Sequence, residues 1–113
     1  MRQNSFFDVE AKPDGGDAPR VILYALGDFQ ERGLVLAGRD LPFDRLRGAF
    51  RRAAAALDVP ELDDETAAAA LDALGAKVRR VPAFVAKHPF RVVVPEPLAE
   101  KSRRFFLETK KRD

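Results

Sequence analysis

The sequence predicts a small α+β domain, in which one mostly antiparallel sheet of about four strands is packed by three helices. Short apolar runs rich in β-branched residues alternate with stretches whose apolar residues recur every three or four positions. Gly and Pro separate these stretches. With 113 residues, 46% of them hydrophobic, the chain suits one globular domain that buries a core without disulfides.

Residues 1–20 are predicted to form a flexible N-terminal arm, and residues 21–113 the single α+β domain. Residues 12–17 (KPDGGD) have the composition of a turn or linker. Phe6 and Phe7 are the exception on this polar arm. We expect this pair to dock, either onto a partner or back onto its own domain, because free aromatic side chains favour aggregation.

The first two strands are predicted within residues 21–37. Residues 21–26 (VILYAL) are apolar on both alternating faces, which is typical of an interior strand covered on both sides. Gly27 and Asp28 interrupt this run, and Gly33 leads into a second one over residues 34–37. The two runs are predicted to form a hairpin with a long loop, although a helical turn through residues 28–33 is also compatible.

Two helices are predicted next. The first has Pro42 in its first turn and an apolar stripe at spacings of three and four, and the Val-Pro pair at 59–60 ends it. The second has Asp63 as its N-cap and Gly75 as its left-handed stop. The acidic run at 63–65 also resembles a cation ligand set, but capping explains it more simply. We therefore predict no metal site and no cofactor.

Two strands and a helix complete the β-β-α-α-β-β-α order. One strand is predicted over residues 78–85, a turn over 87–89, and a second interior strand over 90–94. The last helix starts near Pro97 and carries one apolar stripe, so it should dock on the domain.

The sequence offers little chemistry for catalysis. His88 is the only histidine and precedes a proline in a predicted turn, which favours a surface residue over a catalytic base. Cysteine is absent, and the glycines form neither a P-loop nor a dinucleotide fingerprint. We therefore expect a protein that is not an enzyme. Because no run resembles a signal peptide or a membrane span, we also expect a cytoplasmic location and no membrane partner.

Basic residues concentrate in the last third of the chain. Residues 1–76 hold 9 Lys or Arg and 14 Asp or Glu, a net charge of −5, whereas residues 77–113 hold 11 and 4, a net charge of +7. Such asymmetry predicts an anionic partner for the basic segment, with nucleic acid as the leading candidate. The predicted contact residues are Lys77, Arg79, Arg80, Lys87, Arg91, Lys101, Arg103 and Arg104.

Two observations leave alternatives open. The order of helix, Pro-containing turn, helix and hairpin over residues 42–94 resembles part of a winged-helix domain, but the second helix carries four carboxylates, which phosphates would repel. Strands apolar on both faces also need more cover than three helices supply. This favours a protein–protein interaction, regulatory or assembly subunit, or a homo-oligomer, without any nucleic-acid role. The sequence does not decide whether the acidic helix covers the basic hairpin.

Overall fold

The computed structural model describes residues 13–82 and 90–112. The described elements are α1 (Pro13–Glu31), β1 (Asp40–Pro42), α2 (Phe43–Leu57), α3 (Asp64–Leu74), β2 (Lys77–Arg80), β3 (Phe90–Val93) and α4 (Glu96–Arg112). The predicted small α+β domain is confirmed, but its described part has four helices and three strands, where three helices and about four strands were expected.

Helix α1 lies at the centre of the structure and replaces the predicted hairpin. Val21, Ile22, Ala25 and Leu26 are fully buried, and α1 packs against α2, α3 and α4. A helix covered on all sides is apolar all round, so its sequence shows the same continuous apolar run as an interior strand. The predicted strand over residues 21–26 is therefore wrong.

Helix α1 begins at Pro13, inside the segment predicted as an arm, and buries Ala18. The helical turn that the sequence also allows over residues 28–33 is present in part, because residues 28–31 form the last turn of α1. The predicted docking residues Phe6 and Phe7 lie outside the described residues.

The connection from α1 to α2 also differs from the prediction. Residues 34–37 are not the predicted strand. Their one β contact is an isolated parallel bridge between Ala37 and Val94. Residues Asp40–Pro42 form β1, whereas the sequence predicts Pro42 in the first turn of a helix. Helix α2 then begins at Phe43, directly after the strand.

The ends of α2 and α3 follow the sequence signals closely. The predicted N-cap of α3 is confirmed, since the Asp63 carboxylate accepts a hydrogen bond from the backbone N–H of Thr66 at 2.7 Å. Gly75 ends α3 in the left-handed conformation, at φ 107°. Asp58 ends α2 in the same region, at φ 57°, without being a glycine.

The capping carboxylate makes part of the stability depend on pH. The Thr66 N–H holds the pKa of Asp63 below its ordinary value of 3.8. A lowered folded-state pKa gives stabilisation that is present above the unfolded pKa and lost as pH falls through the folded pKa. Between about pH 5 and pH 2 we therefore expect the wild-type Tm to fall more than that of Asp63→Asn, which caps without titrating. Thermal unfolding followed by circular dichroism measures this difference, and parallel pH profiles would contradict it.

Strand β3 lies between β1 and β2, and both neighbours pair with it in antiparallel register. Phe90 and Val92 are buried, whereas Arg91 and Val93 alternate with them on the other side. That other side is exposed or half-buried, and we call it the open sheet face. It is formed by Asp40, Pro42, Lys77, Arg79, Arg91 and Val93.

Candidate anion-binding surface

The structure separates the eight predicted contact residues. Lys77, Arg79 and Arg91 lie on the open sheet face, Arg80 lies on the other side of the sheet, and Lys101, Arg103 and Arg104 lie on α4. Lys87 lies outside the described residues. The groups differ in how much of their charge is available to a partner.

Two arginines stand side by side on the open sheet face. Arg79 of β2 lies directly opposite Arg91 of β3 in the strand register. Like charges in directly opposite positions repel each other and destabilise a sheet unless an anion lies between them. A cross-strand arginine pair is therefore a natural place for an anion.

Asp40 of β1 supplies such an anion from within the chain. Nη2 of Arg79 lies 2.5 Å from Oδ2 of Asp40, and Nε of Arg91 lies 3.3 Å from Oδ1. Nη2 of Arg91 also donates to the backbone oxygen of Asp40 at 3.1 Å. The hydrogen bond from Arg79 is the largest of the effects that lower the pKa of Asp40, so the carboxylate is ionised at neutral pH.

Lys77 adds a third cation to this face. It lies opposite Val93, which in turn lies opposite Asp40. Lys77 is exposed and has no ion-pair partner in the described part of the chain. The face thus carries three cations and one carboxylate, an excess of two positive charges.

Arg80 lies on the opposite side of the sheet and links it to α3. Its guanidinium carbon is 4.6 Å from the centroid of the Phe90 ring, and its Nη2 is 2.6 Å from Oε2 of Glu65. In the described structure the acidic helix α3 therefore neutralises Arg80, but it forms no ion pair with the three cations of the open sheet face. Packing of α3 against β2 explains Arg80 without any ligand.

The cations of α4 are divided in the same way. Arg103 pairs with Glu31 of α1 at 2.9 Å, so it fastens α4 to the central helix. Lys101 and Arg104 have no ion-pair partner among the described residues. They border a shallow hollow whose other lining residues are Leu23, Phe105 and Glu108.

Sequence reasoning missed two aspartates that each hold two arginines, Asp40 on the open sheet face and Asp28 on α1. Asp40 is separated from Arg79 and Arg91 by 39 and 51 positions, so no local spacing reveals the contacts. The contact of Asp28 with Arg32 has a signal in the sequence, because Arg32 follows Asp28 by four positions, which is the spacing of an ion pair on a helix. The strand assigned to residues 21–26 hid that signal.

Asp28 is the only buried charged residue in the described structure. Only 11% of the Asp28 side chain is exposed, and its Oδ2 lies 2.6 Å from Nη2 of Arg52 and 3.2 Å from Nε of Arg32. Both arginines are thereby committed to this carboxylate. The cluster links α1 to α2, so it is explained as a structural contact.

Comparison of the chain with protein-family models, with curated proteins and with solved structures finds no match. In residues 13–82 and 90–112, no group of three or more His, Cys, Asp or Glu side chains is arranged to hold a metal ion. The helices in those ranges are also too short or too polar to cross a bilayer.

Proposed function

We propose that this protein is not an enzyme and binds an anionic partner, with nucleic acid as the leading candidate, through its open sheet face. The observation that carries this proposal is the cross-strand pair Arg79 and Arg91, with Lys77 nearby and only one carboxylate among them. Each guanidinium presents a planar fork of donors that matches two oxygens of a phosphate.

The chemistry of the face favours contacts to the phosphate backbone over contacts to bases. Its six described residues include no aromatic side chain, and Phe90 is buried on the other side. Base stacking, which most single-strand binders use, therefore has no platform there. Phosphate contacts position a nucleic acid without reading its sequence, so we propose sequence-independent binding that depends strongly on salt.

A salt titration with paired lysine variants tests this proposal. We expect the wild type to bind a fluorescent mixed-sequence oligonucleotide with a Kd of about 1–100 µM near physiological salt, weakening steeply as salt rises. Lys77→Glu should weaken binding about tenfold and flatten the salt slope by about one. Lys111→Glu is the matched control, because it makes the same charge change at an exposed site near the end of α4.

Three results would contradict the proposal. Binding that is absent at low salt would remove it, and so would binding that is indifferent to salt. Equal weakening by Lys77→Glu and Lys111→Glu would show that net charge acts diffusely, without a site on the sheet.

A second candidate function, an interaction or assembly subunit, is favoured by one separate observation. Val35 is 63% exposed and its neighbour Leu34 is 38% exposed, in the connection that follows α1. Gly33 and Gly38, both at positive φ, bracket this apolar pair. The candidate requires a solution mass above the 12.6 kDa of one chain and a return towards that mass in Val35→Ser. A monomeric wild type would count against self-association.

A further inference from the structure

We infer that Asp40 acts as an internal competitor for the phosphate site, holding Arg79 and Arg91 in place while limiting their affinity for an external anion. The inference rests on the proposed function of the open sheet face. It identifies which described side chain sets the affinity of that face, and it assigns a phosphodiester group as the ligand that replaces the carboxylate.

The contacts of Asp40 are those expected of a bound anion. Arg79 contacts one carboxylate oxygen and Arg91 contacts the other, from two different strands. A phosphodiester group offers two unbridged oxygens with one negative charge between them, which is the same pattern of acceptors. The two arginines are thus already directed towards one shared anion, so little side-chain ordering is needed when a phosphate takes its place.

The exposure of this group allows the exchange. The side chains of Asp40 and Arg79 are 43% and 57% exposed, so a solute can reach them. Exposed ion pairs of this kind contribute little to stability, which makes their replacement inexpensive. Asp28 shows the opposite case, because its carboxylate is almost enclosed and cannot be exchanged without opening the α1–α2 contact.

Lys77 extends the site beyond a single phosphate. It lies two residues from Arg79 on β2 and on the same face, which corresponds to about 7 Å along a strand. Lys77 therefore contacts a neighbouring phosphate of the same polynucleotide. A polymer of phosphodiesters uses both positions, whereas free inorganic phosphate fills only the arginine pair and should compete weakly.

Asp40→Asn tests the inference through a gain of affinity, which misfolding would not produce. Asparagine keeps an oxygen acceptor for the arginines and removes the competing charge. We expect Asp40→Asn to bind a labelled single-stranded oligonucleotide of about 16 nucleotides five- to tenfold more tightly than the wild type at about 0.1 M salt. Its salt slope should be steeper by about one, since both arginines now neutralise phosphate.

The matched control is Asp58→Asn. It makes the same change of residue and charge at the far end of α2, about 22 Å along the helix from β1. Its left-handed backbone accepts asparagine readily. We expect its affinity to stay within about twofold of the wild type at about 0.1 M salt, because this separation is then about two Debye lengths and the charge at residue 58 is largely screened from the open sheet face.

The outcomes separate this inference from the proposed function. If the wild type binds and only Asp40→Asn binds more tightly, both stand. If the wild type binds and Asp40→Asn is unchanged, weaker, or matched by Asp58→Asn, the competitor role is overturned while binding at the face survives. If neither the wild type nor Asp40→Asn binds at low salt, the proposed function fails and the inference fails with it.

Discussion

Replacing Gly27 with alanine is expected to lower the free energy of unfolding by at least about 2 kcal/mol, because α1 and α4 cross at this residue. A Cβ atom added there would lie 2.5 Å from the backbone oxygen of Ser102 and nearer still to Cβ of Phe106. Neither atom belongs to a movable side-chain end. The helices must therefore separate, which disturbs the edge-to-face contact of Tyr24 with Phe106.

Gly48→Ala on α2 is the matched control for this collision. Its added Cβ would meet only Nη1 of Arg52, at 3.3 Å, which is the end of a flexible side chain. The atoms with which Arg52 contacts Asp28 are Nε and Nη2. Alanine favours a helix by up to about 1 kcal/mol over glycine, so Gly48→Ala should be neutral or stabilising. Urea unfolding measures the free energy of unfolding of both variants. An equal loss in Gly27→Ala and Gly48→Ala would contradict a close approach of α1 and α4 at Gly27.

The second large effect is expected at the buried carboxylate of Asp28. Arg52→Met keeps the apolar stem but removes the closest guanidinium, leaving Asp28 with Arg32 alone. Removing one partner of a buried ion pair leaves a charge without compensation. Because Arg32 remains and Arg52 is 40% exposed, we expect a loss of about 1–3 kcal/mol in the free energy of unfolding.

Arg51→Met tests whether burial is the cause. Arg51 precedes Arg52 on the same helix, and its pair with Glu61 is exposed at both ends, by 63% and 55%. Pairs of this kind contribute about 0–1 kcal/mol, so Arg51→Met should change the free energy of unfolding by less than half as much. A loss under about 0.5 kcal/mol in Arg52→Met would mean that Asp28 tolerates its partial isolation.

The elements predictable from sequence are those with signals inside themselves. The termini of α3 depend on Asp63 and Gly75, whose effects act within one turn, and both were predicted. Helix α1 was mistaken for a strand because its type depends on three other helices that cover it. A run such as residues 21–26 is equally apolar in either case, and only the tertiary cover decides between them.

The candidate site was predictable as charge but not as arrangement. Composition indicated that residues 77–113 are basic, and Lys77, Arg79 and Arg91 do share one face. Composition does not show which arginines are neutralised within the chain. Arg80 meets Glu65 from 15 positions away and Arg103 meets Glu31 from 72, so these pairings follow from the fold alone.

Because α1 packs against α4, the domain can complete its folding only late in its synthesis by the ribosome. Gln30 near the end of α1 donates to the backbone oxygen of Ala99 in α4, 69 positions later. At translation rates of about 5–20 residues per second, α4 emerges roughly 4 to 14 s after α1. During that interval the central helix lacks its principal cover and is open to chaperones and to self-association. Folding of this domain is therefore completed only after α4 has been synthesised.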